Sequence, residues 1–183
     1  MVSGGRNSNA TPAQSPVVGG NFCGHFTMKE TKNIQAKILF RFFSNVLDEW
    51  TVETMWAEIV DEKKGLYKLD NIPLYAPLAS GDIVFAEFDE NEKFLIYRKT
   101  IEFSGNSTVQ VIILDKTIKA NEIRKIFSEL GCISEKQSEK YFAMEIPYNK
   151  EYSLIRQKLI ELEENEIISY AEPVLSETHQ YEK

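Results

Sequence analysis

Histidine and cysteine are scarce in this chain. It holds two histidines, His25 and His179, and two cysteines, Cys23 and Cys132, among 183 residues. Both histidines fall in segments predicted to be tails. A Ser-His-Asp triad, a Cys-His pair or a His-ligated metal needs a histidine inside the folded core, so none of these mechanisms is expected. Two cysteines do not make a disulfide framework, and a reducing, cytoplasmic compartment is expected. Long apolar runs are missing too. No stretch approaches the roughly 18 residues of a membrane span, and residues 1–27 lack the charged start and apolar run of a secretory signal. No glycine-rich phosphate loop occurs: SGNST at 104–108 has a single glycine, no lysine, and precedes a strand rather than a helix. No EF-hand or other metal-ligand spacing is present. The sequence therefore assigns no catalytic residue, no metal and no cofactor.

Basic charge is in short supply as well. Against 28 Asp and Glu the chain has 21 Lys and Arg, for a net charge of −7. The excess is spread evenly: residues 28–114 and residues 115–183 each hold 10 basic and 14 acidic residues. A nucleic-acid binder concentrates Lys and Arg on one face, so nucleic acid is an unexpected partner. A protein partner with a basic surface fits better.

What is there divides the chain into segments. Residues 1–27 hold five of the nine glycines and two of the six prolines, and read as a disordered extension or tag, with Met28 as a natural start. Residues 28–107 read as a strand-rich subdomain. Strands are expected at 36–43, 52–60, 66–69, 83–88 and 94–101, with a loop over 44–51. Pro73 and Pro77 exclude regular structure between Asn71 and Ser80. This half is expected to form a small barrel-like antiparallel sheet. Residues 108–175 change rhythm: a strand at 108–114, a helix at about 118–130, strands at 132–137 and 141–146, a helix at about 150–164, and a strand at 167–174. Ile123, Ile126, Phe127 and Leu130 make one apolar stripe on the first helix, and Tyr152, Ile155, Leu159 and Leu162 on the second. Gly131 suits the position just past the first helix, and Asn149 an N-cap of the second. The order β-α-β-β-α-β is that of a ferredoxin-like half, in an α+β chain. Residues 176–183 read as a tail.

Most conspicuous residues have a structural explanation. Asp82 after Gly81 is a turn residue that accepts from local backbone N–H groups. Cys132 reads as a small buried hydrophobe, since it has neither a histidine partner nor a helix N-terminus to lower its pKa. Trp50, Trp56, Tyr67, Tyr75, Phe85, Phe88, Tyr97 and Phe103 fall among short strands and read as core, because strands favour aromatics. Trp56 and Tyr75 are the expected exposed anchors if a partner surface exists.

Several motifs, taken in order, resemble one family. They are Trp56-Ala57-Glu58, the run Tyr67 to Ala76 with its Asn71-Ile72-Pro73, Gly81-Asp82-Ile83-Val84, Ser104 to Val109, and Gly131-Cys132. Over about residues 36–175 the chain is similar to a bacterial family known as domain of unknown function 4265. The resemblance implies a bacterial origin and a shared fold, and assigns no catalytic roles.

The first functional expectation is a non-catalytic binding protein, of the kind represented by an immunity protein or antitoxin that masks a toxin. Its candidate binding residues are Trp56, Asn71, Tyr75, Asp82 and Ser107. The alternative is an enzyme of unrecognised type, using Asp70 or Asp82 with Tyr75 and Arg98, in a cleft between the two halves. A ligand-sensing or RNA-associated regulatory module is a third, weaker reading.

Overall fold

The structure, a computed structural model, describes residues 35–44 and 49–181. They fall within one compact unit, Asn33–Lys183. The extension expected over 1–27, with His25, Cys23 and the proposed start at Met28, lies outside the described residues.

Five strands form the first half: β1 (Gln35–Ser44), β2 (Glu49–Asp61), β3 (Leu66–Leu69), β4 (Ile83–Asp89) and β5 (Phe94–Glu102). Each pairs antiparallel with the next, and β1 closes a barrel by pairing parallel with β5 at Ile38↔Leu95 and Leu39↔Ile96. Register shifts at Ile59/Asp61, Ile83/Val84 and Phe85/Ala86 add the local twist that a small closed sheet requires. The interior is filled by Ile38, Phe40, Met55, Ala57, Leu69, Val84 and Ala86. Gly65, at φ +66°, follows a 3-10 turn at Glu62–Lys64, and a Cβ there would stand 2.7 Å from the Ala86 carbonyl oxygen.

β2 begins at Glu49, inside the loop expected over 44–51. Ladder pairing decides this, because Phe43↔Trp50 and Ser44↔Glu49 extend the β1–β2 register. Period-2 burial along β2 puts Trp50 on the solvent side at 74% exposure, so the core reading of Trp50 is corrected. Phe88 and Phe103 are exposed as well.

The second half is a four-stranded sheet of β6 (Ser107–Ile113), β7 (Ile133–Lys136), β8 (Tyr141–Ile146) and β9 (Ile168–Val174). Its order is β7-β8-β6-β9, with every neighbour antiparallel. Helices α1 (Ala120–Glu129) and α2 (Tyr152–Glu164) connect β6 to β7 and β8 to β9. The fold is thus α+β. Val109, Val111 and Ile113 of β6 and Phe142, Met144 and Ile146 of β8 form one apolar face. Ile123 and Phe127 of α1 and Ile155 and Leu159 of α2 pack into the same cluster, so both helices cover that face. Each fully buried side chain of this size contributes about 1.5–3 kcal/mol of transfer free energy.

Local signals end α1 as expected. Gly131, at φ +90°, takes the left-handed position, with Gly131 N–H donating to Ser128 O and Cys132 N–H to Phe127 O, both at 3.0 Å. The start of α2 differs from the sequence reading. Lys150 N–H turns back to Pro147 O at 2.9 Å, so Asn149 lies inside a turn and Glu151 takes the N-cap without a side-chain bond.

The tail is also corrected. Glu177–His179 form a 3-10 turn, and His179 is 1% exposed. Its ring packs 5.6 Å from that of Tyr152, and its nitrogens reach Ser107 and the Lys150 carbonyl. The polar composition of residues 176–183 hid a histidine whose polar partners come from distant parts of the chain.

Candidate functional site

The face of the second sheet that carries no helix presents Thr108 and Gln110 of β6 and Tyr141 of β8. These side chains reach the irregular segment between β3 and β4. Thr108 Oγ1 donates to Leu78 O at 2.8 Å, Gln110 Nε2 to Leu74 O at 3.1 Å, and the Tyr141 hydroxyl also to Leu74 O. On its other side the segment is held by Glu53 of β2. The Glu53 carboxylate accepts from the N–H groups of Leu74, Tyr75 and Ala76 at 2.8, 3.0 and 2.8 Å. Prolines 73 and 77 keep the segment out of the ladder, and these bonds replace ladder bonds for backbone that would otherwise lack partners.

Between this segment, the far end of β1 and the sheet runs a groove of about 770 Å³. Its walls are Phe42, Phe43, Tyr75, Pro77, Ile112, Tyr141, Tyr170 and Pro173, with Gln110, Lys140, Ser169 and Glu172 supplying polar groups. Tyr75 lies flat on Tyr141, with centroids 5.3 Å apart and planes within 5°. Burial pushes the Tyr141 phenol pKa well up, and the neighbouring Tyr75 and Glu53 add to the rise. The phenol is therefore a neutral donor. Beyond the groove's edge Trp50 meets Phe43 edge-on at 6.1 Å. The groove has the size and largely apolar lining of a preformed ligand or side-chain pocket.

The expected site residues scatter around this groove. Tyr75 lines it, 41% exposed. Trp56 and Asn71 meet each other outside it: Asn71 Oδ1 accepts from Trp56 N–H at 2.7 Å, and the Lys37 ammonium sits 5.6 Å over the exposed Trp56 ring. Asp82 and Ser107 are buried, 1% and 0% exposed, and neither lines the groove. The Asp82 carboxylate accepts from Ala79 N–H at 3.1 Å, the local turn bond its sequence position suggested, and from Ser104 N–H, 22 residues on, at 2.8 Å. Burial raises its pKa, and those same bonds oppose the rise. Ser107 bonds to His179 and Ser176. Asp70 is engaged by Gln35 and Arg98 by Glu87, and neither lines the groove. Burial pushes the Cys132 thiol up to about 12, in keeping with a buried hydrophobe. Among the described residues, no group of three or more His, Cys, Asp or Glu is placed to hold a metal ion. No described helix is long and apolar enough to cross a membrane.

Sequence reasoning missed Phe42, Phe43, Gln110, Ile112, Tyr141, Tyr170 and the clasp of Glu53. One local signal existed. Gln110 is a lone polar residue inside the apolar strand TVQVIIL, and a buried-strand amide needs a partner across the sheet face.

The chain is similar to a hypothetical protein from Neisseria gonorrhoeae whose crystal structure is known. Identity is 27% and the TM-score 0.68, over 78% of this chain and 96% of that one. No curated protein matches the sequence. Residues 53–170, from within β2 to within β9, match the family described as Domain of unknown function (DUF4265), and the chain belongs to that family.

Proposed function

We propose that this protein is a non-catalytic binding protein whose groove beside Tyr75 receives an apolar segment of a protein partner, as an immunity protein or antitoxin does for its toxin. The observation that carries this reading is the preformed aromatic groove, walled by Phe43, Tyr75, Tyr141 and Tyr170. Aromatic side chains supply large contact area at low entropic cost, and they dominate interface hot spots. The acidic excess favours a partner with a basic surface, through steering more than through affinity. The strand order β7-β8-β6-β9 with both helices on one face supports a ferredoxin-like reading of residues 108–175. We place the protein in the cytoplasm, on its cysteine usage.

The enzyme reading draws on one observation, that a cleft with tyrosines lies between the two sheets. It is short of a base. Glu172 is the carboxylate lining the groove, and its two oxygens accept from the Tyr152 and Tyr181 hydroxyls. Asp82 is buried outside the groove.

Affinity capture from the source cell with wild type and Tyr75→Ala in parallel tests the proposal. A stoichiometric protein held by wild type and released by the variant supports groove binding, and suppression of that protein's toxicity supports the antitoxin role. A partner held equally by both would remove the groove from the interface. Turnover of a small molecule abolished by Tyr75→Ala, with no protein captured, would favour the enzyme.

A further inference from the structure

The groove beside Tyr75 is walled by rings rather than by aliphatic side chains. Tyr75 lies flat against Tyr141 and is still 41% exposed. Tyr141 and Tyr170 come from β8 and β9, and Phe42 and Phe43 from β1. An aromatic ring carries negative charge on its faces, so a site walled by several rings attracts a cation as well as apolar surface.

The carboxylates around the groove act in the same direction. Glu53 stands behind the backbone of Tyr75, with three N–H bonds and no ion pair among the described residues. Its charge reaches the groove, since it adds to the rise that burial imposes on the Tyr141 phenol. Glu172 lines the groove and also has no ion pair among the described residues. Glu172 and Glu163 add to the rise that burial imposes on the Tyr170 phenol, and Arg156 opposes it in part. Lys140 is the cation lining the groove. It is exposed, and its flexible stem can carry the ammonium into solvent.

The chain itself makes cation–ring contacts. The Arg156 guanidinium lies 3.7 Å from the centre of the Tyr181 ring, and the Lys37 ammonium 5.6 Å from that of Trp56. Of the two cations, guanidinium suits the flat walls of the groove better. It is planar, weakly hydrated and stacks on aromatic faces, and its stem covers apolar surface.

We propose that the anchor received by this groove is an arginine side chain of the protein partner, with its stem along the apolar walls and its guanidinium over the tyrosine rings. This rests on the reading of the groove as a protein-binding surface and gives that partner a chemical class.

NMR titration of the full chain with two blocked tripeptides isolates the charge: acetyl-Leu-Arg-Leu-amide and its citrulline counterpart. Citrulline has the shape of arginine with a neutral urea head. The arginine peptide should shift the ring signals of Tyr75 and Tyr141 saturably. It should bind about threefold or more tighter than the citrulline peptide, the ratio that one solvated cation–ring contact supplies. Tyr75→Leu keeps an apolar side chain and removes the ring, so the ratio should fall toward unity, whereas Tyr75→Phe should preserve it. Lys140→Gln removes a like charge, and should tighten the arginine peptide while leaving the citrulline peptide unchanged. Equal binding of the two peptides, or no saturation by the arginine peptide at about 10 mM, would overturn the arginine anchor. So would an unchanged ratio in Tyr75→Leu, or weaker arginine binding in Lys140→Gln. Those outcomes leave the groove reading standing, which fails instead when a captured partner is held equally by wild type and Tyr75→Ala.

Discussion

Ser107 Oγ lies 2.8 Å from His179 Nδ1, and both side chains are buried. The pair has the composition of a catalytic dyad and the surroundings of a fastener. His179 Nε2 is 3.1 Å from the Lys150 carbonyl oxygen, which can only accept, so Nε2 carries the proton and Nδ1 accepts from the Ser107 hydroxyl. Ser107 Oγ in turn accepts from Ser176 N–H at 2.8 Å. Three separated parts of the chain meet here: the start of β6, the turn before α2, and the C-terminal turn.

This arrangement makes stability depend on pH with a definite sign. Burial lowers the His179 pKa below 6.5, and the bond to the Lys150 carbonyl opposes the shift in part. Below pH 6.5 the unfolded chain takes up a proton that the folded chain resists, so stability contributed by His179 is present above 6.5 and is lost as pH falls toward the folded value. Asp82 and Glu145 run the other way. Burial raises their pKa values from 3.8 and 4.5, so acidification relieves their penalty. Urea denaturation of wild type and His179→Gln isolates the histidine. The difference between them should be constant above pH 6.5 and shrink below it, with a slope of up to about 1.4 kcal/mol per pH unit. A flat difference from pH 7.5 to 5 would show that His179 titrates alike in both states.

Leu74 O accepts from two side chains of the second sheet, the Tyr141 hydroxyl and the Gln110 amide. Redundancy of that kind predicts non-additivity. Tyr141→Phe should cost about 1 kcal/mol, since the carbonyl keeps one donor. Gln110→Leu should cost a similar amount. The double variant leaves the carbonyl without either donor, and should exceed the sum of the singles by about 1 kcal/mol. Simple additivity in urea unfolding would mean that water serves Leu74 O in the variants.

Legibility followed the range of the interaction. The strand at 108–114 and the left-handed Gly131 are set by neighbours in sequence, and each was readable; Asp82 is so only in part, since it accepts from Ala79 N–H three residues back and from Ser104 N–H 22 residues on. Barrel closure was not fully so, because it rests on two residue pairs between β1 and β5, far apart in the chain. The run AKILFRFF is apolar almost throughout, so it did not show which aromatics face the interior: Phe40 is buried, whereas Phe42 and Phe43 line the groove. His179 was hidden for the same reason, since its partner Ser107 lies 72 positions away. The candidate site is a junction between two sheets. Tyr75 is exposed, as its residue type suggested, but the wall opposite it belongs to β6, β8 and β9.

Two glycines at positive φ should differ when each becomes alanine. At Gly65 the new Cβ would lie 2.7 Å from the Ala86 carbonyl oxygen, which is backbone of the adjacent strand and cannot withdraw. At Gly131 it would lie 2.6 Å from the Lys150 side chain, which can swing into solvent. Both variants bear the left-handed penalty of about 1–2 kcal/mol. Gly65→Ala should therefore cost more than Gly131→Ala by about 1 kcal/mol or more, as overpacking adds to strain. Thermal unfolding of the two variants checks the order, and equal losses would mean that the barrel gives way at Ala86 without cost.

Glu53 links stability to the groove most directly. One carboxylate satisfies three consecutive N–H groups, those of Leu74, Tyr75 and Ala76, and so fixes the backbone that carries Tyr75. Glu53→Gln keeps one acceptor oxygen and places an NH₂ where Glu53 Oε1 or Oε2 accepted, so at least one N–H faces a donor. Glu53→Ala frees all three. Hydrogen bonds to a charged acceptor contribute about 1.5–3 kcal/mol in favourable cases, and solvent near Tyr75 can replace part of that. The expected ranking is wild type, then Glu53→Gln, then Glu53→Ala, with a loss of about 2–3 kcal/mol for alanine. Amide hydrogen exchange gives the sharper readout. Protection should fall at residues 74–76 in both variants while the buried strand β6 stays protected. Groove binding should weaken in parallel, because the Tyr75–Tyr141 stack loses its fixed wall. Loss of protection throughout the barrel would instead make Glu53 a support of the whole sheet, and unchanged exchange at 74–76 would remove it from the site.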